Sequence, residues 1–458
     1  MKTLKVFETF AGIGAQTKAL KNIGVNHEVV AISEWNIDSI ISYGYIHHLD
    51  LIQQMVIPDD KTILEELSKF TFSSDGKHPY ENLSKLNPVK LRELYKCHLV
   101  SNNFGSILEI QGKNLPNIDL LTYSFPCQAI SIAGQQKGLA KGTKTSSSLL
   151  WEIERILLEL KEENRLPSYL LMENVAALLQ SKHLAHFNIW INFLETLGYE
   201  TKYDTLIATD FGIPQIRQRV FAVSILNDNT HDKNISFSTF AFPRGKRTSK
   251  TLKDVLDPIV DEKYYMDRLM KFLPKELSDK ISDGGIQKGL VEDKFILGAT
   301  IYKQDNVVCP ESGFLVTLTA GDSKERPKVL VSNPITLEGY SVYKTMQRLD
   351  VEARPAPTLM SGKYDLPRIF TDQYRIRMLT PIERLKLMGF TIEDYANLKK
   401  CPSNITDQAI AMQCGNSIVV NVLEAIFKNL FQPSLNAPQT ASESSWLRLN
   451  RLTYTKPL

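Results

Sequence analysis

The sequence predicts an α/β protein: a parallel sheet with covering helices, joined to a smaller second domain of mainly β and irregular character. Three observations predict it. Short apolar strands alternate with amphipathic helices over the first 227 residues, a glycine turn follows the first strand, and the alternation stops after Asn227 to resume only near Pro381. Strand, glycine turn, helix, strand is how a parallel α/β sheet begins.

Residues 4–10 alternate and read as the first strand, with Ala11-Gly12-Ile13-Gly14-Ala15 as the turn and an amphipathic run through Leu20. A second strand over 27–33 ends at Glu34-Trp35. Residues 50–103 are charged and helical in period, an insertion or a set of covering helices. A third strand, 118–124, runs into Phe125-Pro126-Cys127-Gln128 and then a loop, 134–148, rich in Gly, Lys, Ser and Thr. Apolar positions recur at helical spacing over 149–157. Residues 169–172 form a buried strand ending at Glu173-Asn174, and a helix over 187–197 stops at Gly198. Two paired strands follow, 205–208 and 219–225, separated by Phe211-Gly212-Ile213-Pro214. Helical period returns over 381–390 and 417–430, with Asn416 or Ser417 as the N-cap of the latter. The expected organisation is a first domain over 1–227, a second domain over 228–378, a segment over 379–431 that returns to complete the first, and a loosely ordered tail over 432–458.

At 458 residues there is room for roughly two to four domains. A 43% hydrophobic and 23% charged composition excludes wholesale disorder. No apolar run reaches the roughly 18 residues of a membrane span, and Glu8 interrupts the stretch a signal peptide would need, so a cytoplasmic protein is expected. Lys and Arg (54) barely exceed Asp and Glu (51), so a polyanion would be met by local patches and not by a global field. The cysteines are Cys97, Cys127, Cys309, Cys401 and Cys414, with no zinc-type spacing and an odd count that argues against a disulfide framework.

Glycines in Phe10-Ala11-Gly12-Ile13-Gly14 allow close approach of a ligand to the backbone, although a tight turn alone would explain them. Glu34 ends the second strand, where an acid can accept from ribose hydroxyls, and Trp35 beside it can lie against an adenine. Phe125-Pro126-Cys127-Gln128 displays a thiol at the carboxyl edge of the sheet, and its polar surroundings argue against a buried filler cysteine. Glu173 ends a strand and either caps the next element or acts chemically; Arg217 and Arg219 either face a ligand together or form a solvated edge.

Together and in this order these blocks resemble the C5-cytosine DNA methyltransferases of prokaryotic restriction–modification type. The resemblance covers about residues 3–225 and 351–428 and includes Gln215-x-Arg217-x-Arg219, Gly415-Asn416-Ser417 and Arg354-Pro355-Ala356-Pro357-Thr358-Leu359. One block departs: Gly105-Ser106-Ile107 has serine where the family usually carries an adenine-contacting acid.

The resemblance implies a Rossmann-like S-adenosylmethionine-dependent sheet and a target-recognition domain. It implies Cys127 as the nucleophile toward C6 of cytosine, Glu173 as the group that holds or donates a proton at N3, and Arg219 as a brace. S-Adenosylmethionine would be held by Phe10, Gly12, Ile13, Gly14, Glu34, Trp35, Ile107, Pro126, Leu149, Asn416 and Ser417. Duplex DNA would be touched by Gln128, Arg217, Arg244, Lys246 and Arg247, with the 134–148 loop as a lid. No metal is expected, because the sulfonium is already an activated leaving group. A monomer encoded by a bacterium or phage is expected, with a cognate restriction endonuclease as a genetic partner and no membrane association. A tRNA cytosine-5 methyltransferase of the same fold is the alternative.

Overall fold

A computed structural model describes residues 2–126, 146–227, 237–265 and 374–432, together with the strand segments 295–296, 307–310, 315–316 and 328–332. Cys127, Gln128, most of the 134–148 loop, the 354–359 block and the tail beyond Gln432 lie outside the described residues.

The first domain carries strands β1 (Leu4–Thr9), β2 (His27–Ser33), β3 (Leu120–Tyr123), β4 (Tyr169–Val175), β5 (Tyr199–Ile207), β6 (Gln215–Ile216) and β7 (Gln218–Leu226). Six of them form one sheet in the order β2-β1-β3-β4-β7-β5. β2, β1, β3 and β4 are parallel, and β7 is antiparallel to both its neighbours. The sheet is therefore mixed, with the expected pairing of its last two strands. β5 begins six residues before the predicted start because Glu200, Lys202 and Asp204 alternate along an edge strand that is only partly covered.

Successive residues of each strand enter opposite cores. Val6, Leu120, Leu171 and Val223 belong to one; Phe7, Leu121, Leu170 and Met172 belong to the other. The first face is covered by α1 (Ala15–Asn22) and α2 (Ile37–His47), with α3 (Leu49–Gln54), α4 (Asp60–Leu67) and α5 (Pro88–Val100) packed around α2. α4, α5 and most of α3 fall within residues 50–103. Asn87 accepts from the Val89 and Lys90 N–H groups, and Pro88 occupies the first turn of α5 where no N–H is needed. The opposite face carries α6 (Leu150–Glu162) and α7 (Ser181–Thr196), whose Ile153, Leu157 and Trp190 are fully buried.

The chain then returns through α8 (Pro381–Lys386), α9 (Ile392–Lys399), α10 (Asp407–Asn416) and α11 (Val420–Phe431). Val420, Leu423, Phe427 and Leu430 form a buried stripe on α11, each contributing about 1.5–3 kcal/mol by burial. The window within 407–431 is apolar enough for a membrane span but is 72% buried inside the fold, as core helices are. Asn416 and Ser417 do not cap α11 at its start. They end α10, with Ser417 as its C-cap, and Thr406 caps that helix by accepting from Ala409 N–H.

The core does not end at residue 227. Phe240, Phe242 and Leu252 are buried in the first core, Lys202 donates to the carbonyls of Phe237 and Phe240, and Asn429 donates to that of Ala241. Residues 237–257 are a strap packed on the first core; the polar composition that follows, between Pro243 and Asp254, disguises two buried aromatic anchors. Beyond it lie β8 (Phe295–Ile296), β9 (Val307–Pro310), β10 (Leu315–Val316), β11 (Lys328–Ser332) and β12 (Tyr374–Met378). Four make a second sheet in the order β12-β11-β9-β8, while β10 pairs with β6.

Candidate active site

The chain runs from β1 out to β2 and comes back to β3 on the other side of β1. That reversal opens a crevice at the carboxyl ends of β1 and β3, the place where open α/β sheets bind ligands. The turn after β1 is backbone-strained: Phe10 has φ 53°, Gly12 56° and Gly14 74°. A non-glycine residue held at positive φ costs about 1–3 kcal/mol and clusters at functional sites. Gly14 is further constrained, since a Cβ there would lie 2.3 Å from His47 Nε2 and 2.6 Å from Tyr43 Cε2. His47 donates through Nε2 to the Ile13 carbonyl at 3.0 Å, and burial lowers its pKa to about 3, so it stays neutral. A Cβ on Gly12, by contrast, would meet no atom of the described residues within 4 Å.

Glu34 closes one side of that turn. Its Oε2 accepts from Gly12 N–H at 2.8 Å and its Oε1 from Trp35 and Asn36 N–H at 2.9 and 2.8 Å. Burial pushes this carboxyl up, against those three main-chain donors. A carboxylate offers about four acceptor sites, so one remains for a ligand hydroxyl. Trp35 is half-buried beside it. Asn103, which the sequence did not single out, accepts from the Glu34 and Gly105 N–H groups and donates to the Glu34 carbonyl, holding this wall in place. Ser106 caps the short turn carrying buried Ile107, accepting from Leu108 N–H. The serine thus has a local structural job where an acid was expected.

The loop that follows β3 is rooted across the crevice. Pro126, half-buried, is the last described residue before Cys127. Asn174 donates through Nδ2 to the Phe125 carbonyl at 3.0 Å, tying the end of β4 to that root. Its neighbour Glu173 is 8% exposed, with Arg219 Nε 3.2 Å from Oε1. Burial raises the Glu173 pKa, opposed by the charges of Arg219 and then Arg217. Arg217, expected among the DNA contacts, has a buried side chain. It is 4% exposed and donates to the carbonyls of Gly415 and Ser417 at 3.0 and 2.7 Å, fixing the end of α10 beside the site. Asn416 is exposed, Ser417 buried, and Leu149 half-buried at the foot of α6.

Arg244, Lys246 and Arg247 are exposed on a loop held to the catalytic rim. Thr248 N–H donates to the Thr209 carbonyl, Arg244 pairs with Asp204 at 2.9 Å, and Gly245 passes so close to Asp210 that a Cβ would lie 2.2 Å from its carbonyl oxygen. Cys97, Cys401 and Cys414 are buried, and burial pushes all three thiols up, Cys414 to about 12, which makes them structural. Among the described residues no His, Cys, Asp and Glu group is arranged to hold a metal.

Glu8 is the one buried acid beneath this turn that the sequence reading used only as an interruption of an apolar stretch. It is fully buried; Oε1 accepts from Thr17 Oγ1 at 2.7 Å, while Oε2 has no hydrogen-bond partner. Burial raises its pKa from 4.5 to about 7. The fold therefore favours the protonated acid, so stability is fully present below pH 4.5 and is lost as pH rises through about 7. Glu8→Gln is expected to flatten this dependence and to stabilise the protein at pH 8 by about 2–3 kcal/mol, read from melting temperature against pH.

The chain matches the model of the C-5 cytosine-specific DNA methylase family over residues 84–432. It is 34% identical over 431 residues to the type II methyltransferase M2.ScrFI of Lactococcus lactis subsp. cremoris, covering 94% of this chain and 99% of that one. It is 33% identical to the orphan methyltransferase M.SssI of Spiroplasma monobiae, covering 94% and 97%. Among solved structures, the Dnmt2 methyltransferase of S. pombe superposes with a TM-score of 0.51 at 17% identity, covering 94% of this chain and 99% of that one, a likeness of fold. The family match over residues 84–432 and the 34% identity along nearly the whole chain define one class: the chain belongs to the C-5 cytosine-specific DNA methylase family. Its activity is methylation of cytosine C5 in DNA, in preference to the tRNA alternative, and family and fold imply S-adenosylmethionine-dependent transfer. The relatives align along nearly the whole chain, so the likeness also spans the middle region that the motif blocks left out.

Proposed function

We propose that this chain methylates a cytosine swung out of duplex DNA, with Cys127 as nucleophile, Glu173 as proton donor at N3 and Arg219 as the brace between acid and base. The observation that carries the reading is the continuity of β4's end. Glu173 is buried beside Arg219, and the next residue is bonded to the carbonyl two residues before Cys127. Acid and nucleophile loop are thereby held to one frame.

Cytosine C5 is a weak nucleophile. Addition of the Cys127 thiolate to C6 forms the S–C bond and shifts the ring electrons toward C5, while a proton from Glu173 neutralises the charge at N3. Once C5 is methylated, its proton passes to a base, the S–C bond breaks with its electron pair returning to sulfur as the thiolate, and the N3 proton goes back to Glu173. A buried acid with a raised pKa is suited to donate near neutral pH. A free thiol is only a few per cent ionised at pH 7, so its loop must favour the thiolate.

The clearance at Gly12 among the described residues, the remaining acceptor site of Glu34 and the half-buried Trp35 fit S-adenosylmethionine. Phe10, Gly12, Ile13 and Gly14 would form its floor, Glu34 would take the ribose, Trp35 the adenine, and Ile107, Pro126, Leu149, Asn416 and Ser417 the walls. When bound it supplies a methyl group on a positively charged sulfur. Extruding the base costs a few kcal/mol, which the region from 228 to 378 would offset by gripping the duplex. Gln128 would contact the DNA, and Arg244, Lys246 and Arg247 would contact phosphates, which position without reading sequence. The protein would act as a monomer in the cytoplasm of a bacterium, or from a phage, protecting DNA from a cognate endonuclease or serving alone.

Incubation with methyl-labelled S-adenosylmethionine and equal amounts of duplex DNA and tRNA tests the reading. Label is expected in C5 of DNA cytosine alone; label confined to tRNA would refute it.

A further inference from the structure

The described chain leaves the catalytic domain through the strap and residues up to 265, and returns through β12 into α8. Both crossings meet at one carboxylate. Glu383, in the first turn of α8, is fully buried and accepts from four donors. Arg377 supplies two, Nη1 at 2.8 Å and Nη2 at 2.7 Å; the main-chain N–H of Thr380 supplies one at 2.8 Å and that of Asp257 one at 2.7 Å. Arg377 is 1% exposed and also donates to the carbonyls of Met378 and Asp257. Its backbone pairs with Val329 of β11 on one side and bridges to Tyr265 on the other. Asp257 in turn holds Lys386 Nζ at 2.6 Å.

Arg377 therefore sits on a strand of the second sheet, Glu383 on a catalytic-domain helix and Asp257 on the outgoing strap. A buried ion pair gives little stability over an apolar contact of the same shape. What a two-pronged guanidinium–carboxylate pair gives is fixed direction, which lysine cannot reproduce.

We propose that Arg377 and Glu383 are positioning residues: their junction fixes the second sheet against the catalytic domain and so sets where along a bound duplex the target cytosine meets the crevice. This rests on the reading of residues 228–378 as the DNA-gripping region.

The test uses the full chain with Arg377→Lys and Glu383→Gln. The variants are expected to bind S-adenosylmethionine within about twofold of the parent and to keep kcat within about threefold, while KM for duplex DNA rises about tenfold, the pattern of lost binding and not of lost chemistry. The gel-shift Kd for duplex should rise by the same factor, and bisulfite sequencing should show more methylation at sites differing from the preferred one by a single base. Should either variant fail to fold, Lys386→Met removes the half-buried pair to Asp257 and the hydrogen bond to the Val255 carbonyl, leaves Arg377 and Glu383 in place, and is expected to raise KM about threefold. Folded variants with unchanged KM, Kd and site fidelity, or losses that follow the folded fraction alone, would overturn the proposal. Failure of the underlying reading looks different: the parent protein itself would then show no duplex binding or transfer.

Discussion

Cys127→Ala is expected to lower methyl transfer by about four orders of magnitude or more, some 5.5 kcal/mol of barrier, with duplex affinity within about threefold of the parent. The size follows from the chemistry. Without addition at C6, C5 stays too weak a nucleophile to take the methyl group, and Cys97, Cys401 and Cys414 are buried with raised thiols. Single-turnover transfer and gel-shift affinity, measured on the same preparation, separate lost chemistry from lost binding. Transfer within tenfold of the parent would remove Cys127 from the mechanism.

Glu173→Gln is expected to cost about 10²–10⁴ in kcat, the usual worth of a positioned proton donor. It also carries a pH signature. The acid must be protonated to donate, so the parent's kcat falls as pH rises through the raised Glu173 pKa. The glutamine variant should lack that alkaline limb. Arg219→Ala should shift the limb to higher pH, because the guanidinium beside Glu173 opposes the effect of burial and its removal leaves desolvation to act alone. A limb that stays in place in Arg219→Ala, or one that persists in Glu173→Gln, would assign the titration to another group.

Much of the architecture was legible because the sheet strands carry apolar runs, such as Val29–Ile32 in β2 and Val220–Val223 in β7. β2 falls on the residues read for it, and β1 and β7 fall within a residue of theirs. The turn at Gly12 and Gly14 and the acids at Glu34 and Glu173 were legible because they stand at strand ends, where chemistry-bearing side chains interrupt an apolar run. What the sequence hid is long-range. Asn174 gains its role from a carbonyl 49 positions away and Arg217 from carbonyls 198 and 200 positions away, and no local pattern announces such partners. Asn416 and Ser417 look like an N-cap because they precede an apolar run; Thr406, followed by an acid in the first turn, was the signal for the helix they end. Glu8 was visible as an acid in an apolar strand, but its burial depends on Thr17 and Tyr43 from two different helices.

The covalent bond between protein and base is the centre of this account. DNA carrying 5-fluorocytosine in place of cytosine tests it most directly, because fluorine at C5 cannot leave as a proton does and the S–C bond cannot then break. Denaturing electrophoresis after incubation with S-adenosylmethionine is expected to show a protein–DNA species, with peptide mass analysis placing the nucleotide on Cys127. Ordinary methylation of unsubstituted duplex with no such species, or attachment at any other residue, would contradict it.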